Sequence, residues 1–317
     1  MRVAEDSRTG AIGSSADPRH HTKTTSLILT VRLPVARLPP GMSDTESDFH
    51  FRFGGIGRLY GRAGLDRLRR SRVMVIGIGG VGSWVAEALA RSAVGTLILV
   101  DLDEVCVSNI NRQLPALNST LGLPKVEVMA ARIRDLNPEC AVDARMEFFT
   151  ESSAQALFDL RPDCVVDAID AVSNKCRLLA GCRDRNLPVI TCGGAGGRRD
   201  PTQIQITDLA RVTHDRLLSD VRKRLRQGHG FPRGEKKFGI DAVCSAEIPV
   251  YPAEDGTVCA RPDLPAAAAP SPSGGAGPRL NCDWGYGSAT PVTGAFGFAA
   301  AACVIRRLVD SATPPTA

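Results

Sequence analysis

The chain carries ten cysteines but no CxxC pair, so it lacks the paired thiolates of a structural zinc site, and no zinc is expected. The cysteines are instead scattered through stretches that read as strands and helices, as suits small buried hydrophobes in a reducing cytosol. There is no secretory apolar region with a cleavage site, and the one apolar patch near the start, Leu27 to Val31, is too short to cross a membrane. Strong charge of either sign is also missing. The net charge of +5 permits a nucleic-acid partner without demanding one. Aromatics are few, at 5%. With 43% hydrophobic and 23% charged residues over 317 positions, the rest is ordinary soluble globular protein with ample chain for a core.

What is present is concentrated between Arg72 and Arg112. Val73 to Ile76 is a short apolar run, consistent with a buried parallel strand. Gly77-Ile78-Gly79-Gly80-Val81-Gly82 follows, then helical spacing over Ser83 to Ser92, then a second apolar run, Thr96 to Val100, ending at Asp101. This is a βαβ unit with a glycine-rich first turn. Gly77 permits the tight turn, Gly79 lets a phosphate approach the backbone, and Gly82 lets helix and strand pack closely. The helix N-terminus offers N–H groups and a positive dipole end to an anion. Asp101 lies about 20 residues past the glycines, where a carboxylate accepts hydrogen bonds from ribose hydroxyls.

The residues that follow select the nucleotide. A nicotinamide enzyme has no need of a further cluster of amide and cationic groups, whereas an ATP enzyme does. Asn109 can donate through its amide, Arg112 can fork two phosphate oxygens, and Lys125 can set a point charge on another. Magnesium asks for one or two carboxylates beside phosphate oxygens. Asp170, at the end of the run Cys164 to Asp170 and at a strand C-terminus, is the expected metal-binding acid, while Asp167 reads better as a helix N-cap.

These motifs (GIGGVG at 77–82, LVDLDEV at 99–105, SNINRQ at 108–113, GLPKVEV at 122–128 and DAID at 167–170) resemble the adenylating enzymes related to ubiquitin activation. Within them the chain is most similar to the tRNA threonylcarbamoyladenosine dehydratases. That likeness is carried by RFGG at 52–55 with RLYG at 58–61, GGAGG at 193–197, DPTQIQ at 200–205, VYP at 250–252, DGTVC at 255–259 and the stretch from Asn281 to Thr290. The resemblance spans Arg52 to Arg307. It implies activation of a carboxylate as an acyl-adenylate, with ATP and magnesium as cofactors and a monovalent cation as an optional third. It also implies nucleotide contacts from Gly77, Gly79, Gly80, Gly82, Asp101, Asp103, Asn109, Arg112, Lys125 and Asp170. In the dehydratase branch the threonyl carboxylate of threonylcarbamoyladenosine in tRNA is activated, and a nitrogen of the same modification then closes a ring. Catalytic roles fall to Arg112, Lys125, Asp170 and Arg58. Relatives also bring an arginine from an N-terminal Arg-Gln-Ile motif to the partner subunit's phosphates. Here Gly55 stands at the aligned arginine, and Arg58 is the nearest alternative, with Arg52 beside it. A homodimer is implied, with proteins of the cysteine-desulfurase system as optional partners. Cys244 lies in the region of the reactive cysteine of carrier-protein relatives, near but not at its expected position by Ala242, and reads as a packing residue.

The remaining chain alternates strand and helix. Helices are expected at Leu65–Arg70, Lys125–Asn137, Ser153–Asp159 and Asn174–Arg185, and strands at Val142–Phe149, Cys164–Ala168 and Pro188–Cys192, which argues a doubly wound, mostly parallel Rossmann-like sheet. A mixed or antiparallel extension follows, with strands at Gln203–Leu209 and Ala242–Tyr251. Domain boundaries are expected at 1–50 for a disordered extension, with Met42 as the natural start, 51–200 for the ATP-binding part, 201–310 for the substrate and dimer part, and 311–317 for a tail. Flexible loops are expected at 227–238 and 260–279. A helix over His214–Arg226 would align basic residues for a tRNA backbone. Thr290 to Val309 reads as a buried or interface helix, near the lower length limit of a membrane span, so the chain is expected in the cytoplasm with a peripheral membrane contact left open. Two other readings stand beside the dehydratase: an adenylyltransferase for a ubiquitin-like sulfur carrier, and a nicotinamide enzyme or non-catalytic nucleotide sensor.

Overall fold

The computed structural model describes residues 45–252, 257–259 and 286–310. The expected N-terminal start, the loop at 260–279, the tail at 311–317 and parts of the DGTVC and Asn281–Thr290 motifs lie outside the described residues. Helix α1 (Thr45–Arg70) breaks at Gly61, whose φ of 75° only glycine adopts without strain. The remaining elements follow in order: β1 (Arg72–Ile76), α2 (Gly82–Arg91), β2 (Thr96–Val100), α3 (Lys125–Leu136), β3 (Ala141–Arg145), α4 (Glu151–Phe158), β4 (Cys164–Asp167), α5 (Val172–Asp184), β5 (Val189–Cys192), β6 (Ile204–Asp208), α6 (Arg216–Gly228), β7 (Asp241–Ser245), the small hairpin strands β8 (Tyr251–Pro252) and β9 (Val258–Cys259), and α7 (Thr290–Asp310).

The main sheet runs β3-β2-β1-β4-β5-β7-β6. All pairs are parallel except β6 with β7. The doubly wound, mostly parallel fold with a small antiparallel addition is as expected. Side chains alternate across each strand, so Val73 and Val75 enter one core while Met74 and Ile76 enter the other. The first core lies under α2, α3 and α7, the second under α4, α5 and α6. In α7 a Cβ on Gly297 would lie 2.5 Å from the Trp84 Cβ, so glycine there permits the close approach of α7 to α2.

Several boundaries differ from expectation. The helix begins at Thr45, inside the stretch expected to lie outside the fold, because Phe49 and Phe53 bury against Leu65 and Ala93. The strand expected over Val142–Phe149 stops at Arg145. Phe149 instead leaves the sheet to meet Phe158 edge-on at 5.8 Å. The strand expected from Ala242 to Tyr251 divides into β7 and β8. In the segment 227–238, expected to be a flexible loop, Phe231 and Phe238 are buried, Arg183 stacks over Phe231, and Arg226 donates to the carbonyls of Pro232 and Gly234.

Candidate active site

Strand register sets the site. Ile76 on β1 lies opposite both Val100 on β2 and Asp167 on β4. The segments beginning at Gly77, Asp101 and Ala168 therefore leave the same sheet edge side by side. Here β1 hands the chain to β2 on one flank and faces β4 on the other, which is the crevice where open α/β sheets bind ligands.

The glycines fit this crowding. Gly77 has a φ of 90°, and a Cβ there would stand 2.7 Å from the Ala168 carbonyl oxygen. A Cβ on Gly82 would lie 1.8 Å from the Gly77 carbonyl oxygen, closer than any real contact. No side chain caps the α2 N-terminus, so its dipole end is left for an anion.

Asp101 is fixed on this turn. Its carboxylate accepts from the Ile78 N–H at 2.6 Å and the Asp103 N–H at 2.8 Å. Burial pushes its carboxyl above the ordinary value, while Lys125 pulls the other way. Lys125 is buried along its stem and places its ammonium 2.8 Å from the exposed carboxylate of Asp103. The backbone explains the meeting: Val105 donates to Leu123 and Gly122 to Val105, both at 2.9 Å, and Gly122 turns at φ 77°. Arg112 reaches over the glycine turn, its Cγ lying 3.6 Å from where a Gly80 Cβ would be, and donates to Ser108 O and Asn111 Oδ1. Asn109 is buried and accepts from the Cys106 N–H at 3.1 Å. Asn111 and Arg112 also receive the start of α7, through Thr290 and Thr293.

Asp170 is exposed on the loop after β4, two residues past Ala168, whose carbonyl oxygen abuts Gly77, and makes no hydrogen bond or ion pair among the described residues. Asp167 is not the helix N-cap expected of it, since α5 is capped at Ala171. It is sealed in the interior, 2.9 Å from the ammonium of Lys175 and accepting from the Thr191 hydroxyl at 2.7 Å. Lys175 also donates to the carbonyls of Asp167 and Ile169. It thereby ties down the loop that presents Asp170. Burial pushes the Asp167 carboxyl up, against the pull of Lys175 and Thr191. Sequence reasoning passed over Lys175, although it stands one turn inside a helix, close behind two aspartates.

The crevice gathers Gly77, Gly79, Gly80, Gly82, Asp101, Asp103, Asn109, Arg112, Lys125 and Asp170 from one chain. Arg52 and Arg58 are not gathered with them. Arg52 pairs with Asp48 at 2.6 Å on the stretch of α1 that packs on Ala93, past the far end of α2. Arg58 is exposed and lies against Gly54 of its own helix. Cys244 is fully buried, and burial pushes its thiol up to about 11, which suits packing and not nucleophilic attack. No cluster of three or more His, Cys, Asp or Glu able to cage a metal occurs among the described residues. An exposed carboxylate on the loop beside the glycine turn fits magnesium, which takes one or two protein ligands beside phosphate and water oxygens.

Comparison with known proteins is consistent with this geometry. The ThiF family model matches residues 56–316. The tRNA threonylcarbamoyladenosine dehydratase of Escherichia coli is 46% identical over 262 residues, covering 82% of this chain and 94% of the relative. That of Haemophilus influenzae is 45% identical over 263 residues, covering 83% and 95%. Among solved structures, the E. coli tRNA N6-threonylcarbamoyladenosine dehydratase in complex with ATP superposes with a TM-score of 0.71 at 40% identity, over 83% of this chain and 96% of that one.

Proposed function

The chain belongs to the ThiF family, and on that premise we propose that it is the ATP-dependent dehydratase that cyclises threonylcarbamoyladenosine in tRNA. The observation that carries this is the crevice itself: an uncapped helix behind a glycine turn, flanked by Asp101, Arg112 and Lys125 and faced by Asp170, in a chain that matches the dehydratases along nearly their whole length.

An oxygen of the threonyl carboxylate attacks the α-phosphorus of ATP, the bond to the β-phosphate oxygen breaks, and pyrophosphate leaves. A nitrogen of the same modification then attacks the acyl carbon. AMP departs with the carboxylate oxygen, the nitrogen gives up its proton, and the ring closes with net loss of water. The glycine turn holds phosphates, Asp101 takes ribose hydroxyls, and Arg112 and Lys125 neutralise charge developing on the phosphate oxygens. Lys125 must exchange part of its contact with Asp103 for phosphate, which the exposed end of that pair allows. Asp170 would hold magnesium, which would supply positive charge to neutralise phosphate oxygens. The ring closure asks little more than proximity, since the nitrogen is already tethered.

Substrate backbone fits the outer face of α6. Leu218, Val221 and Leu225 bury one side, and the other borders an open concavity of about 460 Å³ lined by Arg222, Lys223, Arg226 and Arg233. Arg222 and Arg226 also hold neighbouring carbonyls, so Lys223 and Arg233 are the freer phosphate contacts. A homodimer accounts for the exposed apolar Val107, Ile110, Leu117 and Leu123 and would let Arg58 serve the partner's phosphates. By length and composition α7 could cross a membrane, but 61% of its most apolar window is buried inside the protein. It reads as a core helix of a cytoplasmic enzyme.

The test is mass spectrometry of nucleosides from tRNA carrying threonylcarbamoyladenosine, after incubation with protein, ATP and magnesium. The wild type removes one water from that nucleoside in an ATP-dependent way, and Asp170→Ala and Arg112→Ala do not. No change with wild type, alongside AMP formation on a small carrier protein, would move the assignment to the sulfur-carrier adenylyltransferases.

A further inference from the structure

A second organised surface stands one strand further along the same sheet edge. Between β4, which leads to Asp170, and β7 runs β5, which leads into Gly193–Arg198. Three segments far apart in sequence are stitched together there. The Gly197 N–H donates to Gly287 O, and the Val250 N–H donates to Gly197 O, both at 2.8 Å. Tyr286 lies flat on this backbone: a Cβ on Gly196 would stand 2.8 Å from the Tyr286 Cβ, and Gly197 turns at φ 73°. Tyr251 packs beside Tyr286 with ring centroids 5.0 Å apart and planes tilted by 51°, and 39% of Tyr286 remains exposed. Beneath them Asp215, itself buried, caps α6 through the Leu218 N–H and accepts from the Gly194 N–H, both at 2.9 Å.

Arg198 is the unusual member. It is 4% exposed and donates through Nη2 to the carbonyl of His214. Its Nε and Nη1 find no acceptor among the described residues. Buried guanidinium nitrogens are rarely left unpaired, because the group has given up water without recovering its hydrogen bonds. Its positive charge lies near enough to Tyr286 to oppose, together with Arg216, the burial that pushes that phenol up to about 12. An aromatic shelf in a chain poor in aromatics therefore stands next to a buried cation with donors to spare, on the edge that also carries the nucleotide crevice.

We propose that Arg198, Tyr251 and Tyr286 form the subsite for the modified nucleoside, the purine stacking on the tyrosine shelf and Arg198 donating to oxygens of the threonylcarbamoyl arm. This rests on the reaction proposed above. The sheet edge then leads the carboxylate from β5 toward Asp170 and the nucleotide phosphates one strand away.

The experiment compares binding and conversion of two tRNAs by the full-length protein: one bearing threonylcarbamoyladenosine, the other the same sequence with plain adenosine. Wild type, Tyr286→Leu, Arg198→Met and Arg198→Lys are assayed in parallel, with ATP affinity and thermal melting as checks of fold. Wild type prefers the modified tRNA. Tyr286→Leu raises KM for it roughly tenfold to hundredfold, the range of one lost base stack, and erases the preference while ATP affinity holds. Arg198→Met erases the preference too, and Arg198→Lys restores part of it. Unchanged KM and preference in Tyr286→Leu would overturn the subsite, as would a wild type that converts the modified tRNA yet binds both equally. Should the Arg198 variants lose ATP affinity and melt early, the Tyr286→Leu result decides alone. A wild type that converts neither tRNA sinks the reaction itself, an outcome distinct from failure of the subsite.

Discussion

Two lysine–aspartate pairs sit on adjacent parts of the sheet edge and behave as opposites. Lys125 and Asp103 meet at 2.8 Å with the carboxylate about half exposed, whereas Lys175 and Asp167 meet at 2.9 Å with neither side chain reaching solvent. The open pair is fed by a loop and faces the phosphate end of the crevice. The closed pair is filled out by the Thr191 hydroxyl and two backbone carbonyls. An ion pair that must trade partners during a reaction needs a weakly held, hydrated end. One that shapes a loop needs every lone pair and proton accounted for.

Breaking the closed pair is expected to give the largest effect. Lys175→Met leaves the Asp167 carboxylate buried without its cation, which costs about 3–5 kcal/mol of stability, measured by denaturant unfolding. Adding Asp167→Asn to that variant removes the orphaned charge and restores most of the loss. If the double variant is as unstable as the single, the pair is not the cause. The restored double variant also isolates the loop. With Lys175 gone, the Ile169 carbonyl loses its donor, and the Asp170 loop should demand more magnesium for half-maximal activity and bind manganese more weakly by electron paramagnetic resonance. Breaking the open pair gives the reverse pattern. Lys125→Ala costs less, about 1–2 kcal/mol from the lost packing of its stem, because Asp103 rehydrates. It lowers kcat/KM roughly a hundredfold or more by removing a cation from the transferred phosphate. A Lys125→Ala enzyme that unfolds early but turns over normally would invert this assignment.

The same contrast explains what was legible in the sequence. The open half of the site is local: Gly77 to Lys125 holds the turn, the acid, the amide and both cations within one βαβ unit and the loop that follows it. That Asp170 follows a strand end on this edge was legible, because strand ends in parallel sheets gather on one side. Lys175 was not, because nothing in a helical pattern marks a lysine as facing inward, and its partners come from β4 and β5. Asp167 was misread as a cap for the same reason: burial on both faces is a property of the assembled sheet. Phe49 falls inside the fold, against expectation, because a single aromatic in polar surroundings gives no periodic signal. The Arg198–Tyr286 platform draws on segments more than eighty residues apart, joined by backbone hydrogen bonds that no side-chain pattern announces.

The smallest expected effect separates Asp101 from both pairs. Its carboxyl is raised above the ordinary 3.8, first by burial, with Lys125 opposing. Ribose hydroxyls donate to the ionised form, so ATP binding favours loss of that proton. The sign follows: affinity is full where Asp101 is ionised, near neutral pH, and declines as pH falls toward the raised value, before an ordinary aspartate would titrate. Stability moves the other way for this group, since a raised carboxyl penalises the folded state where it is ionised and ceases to do so in acid. Isothermal titration of ATP between pH 7 and pH 5 should therefore show a decline of a few-fold at most. In Asp101→Asn it should show weaker but pH-independent binding, because the amide still accepts one hydrogen bond and carries no proton to lose. A decline that persists unchanged in Asp101→Asn would place the titrating group elsewhere and overturn the role given to Asp101.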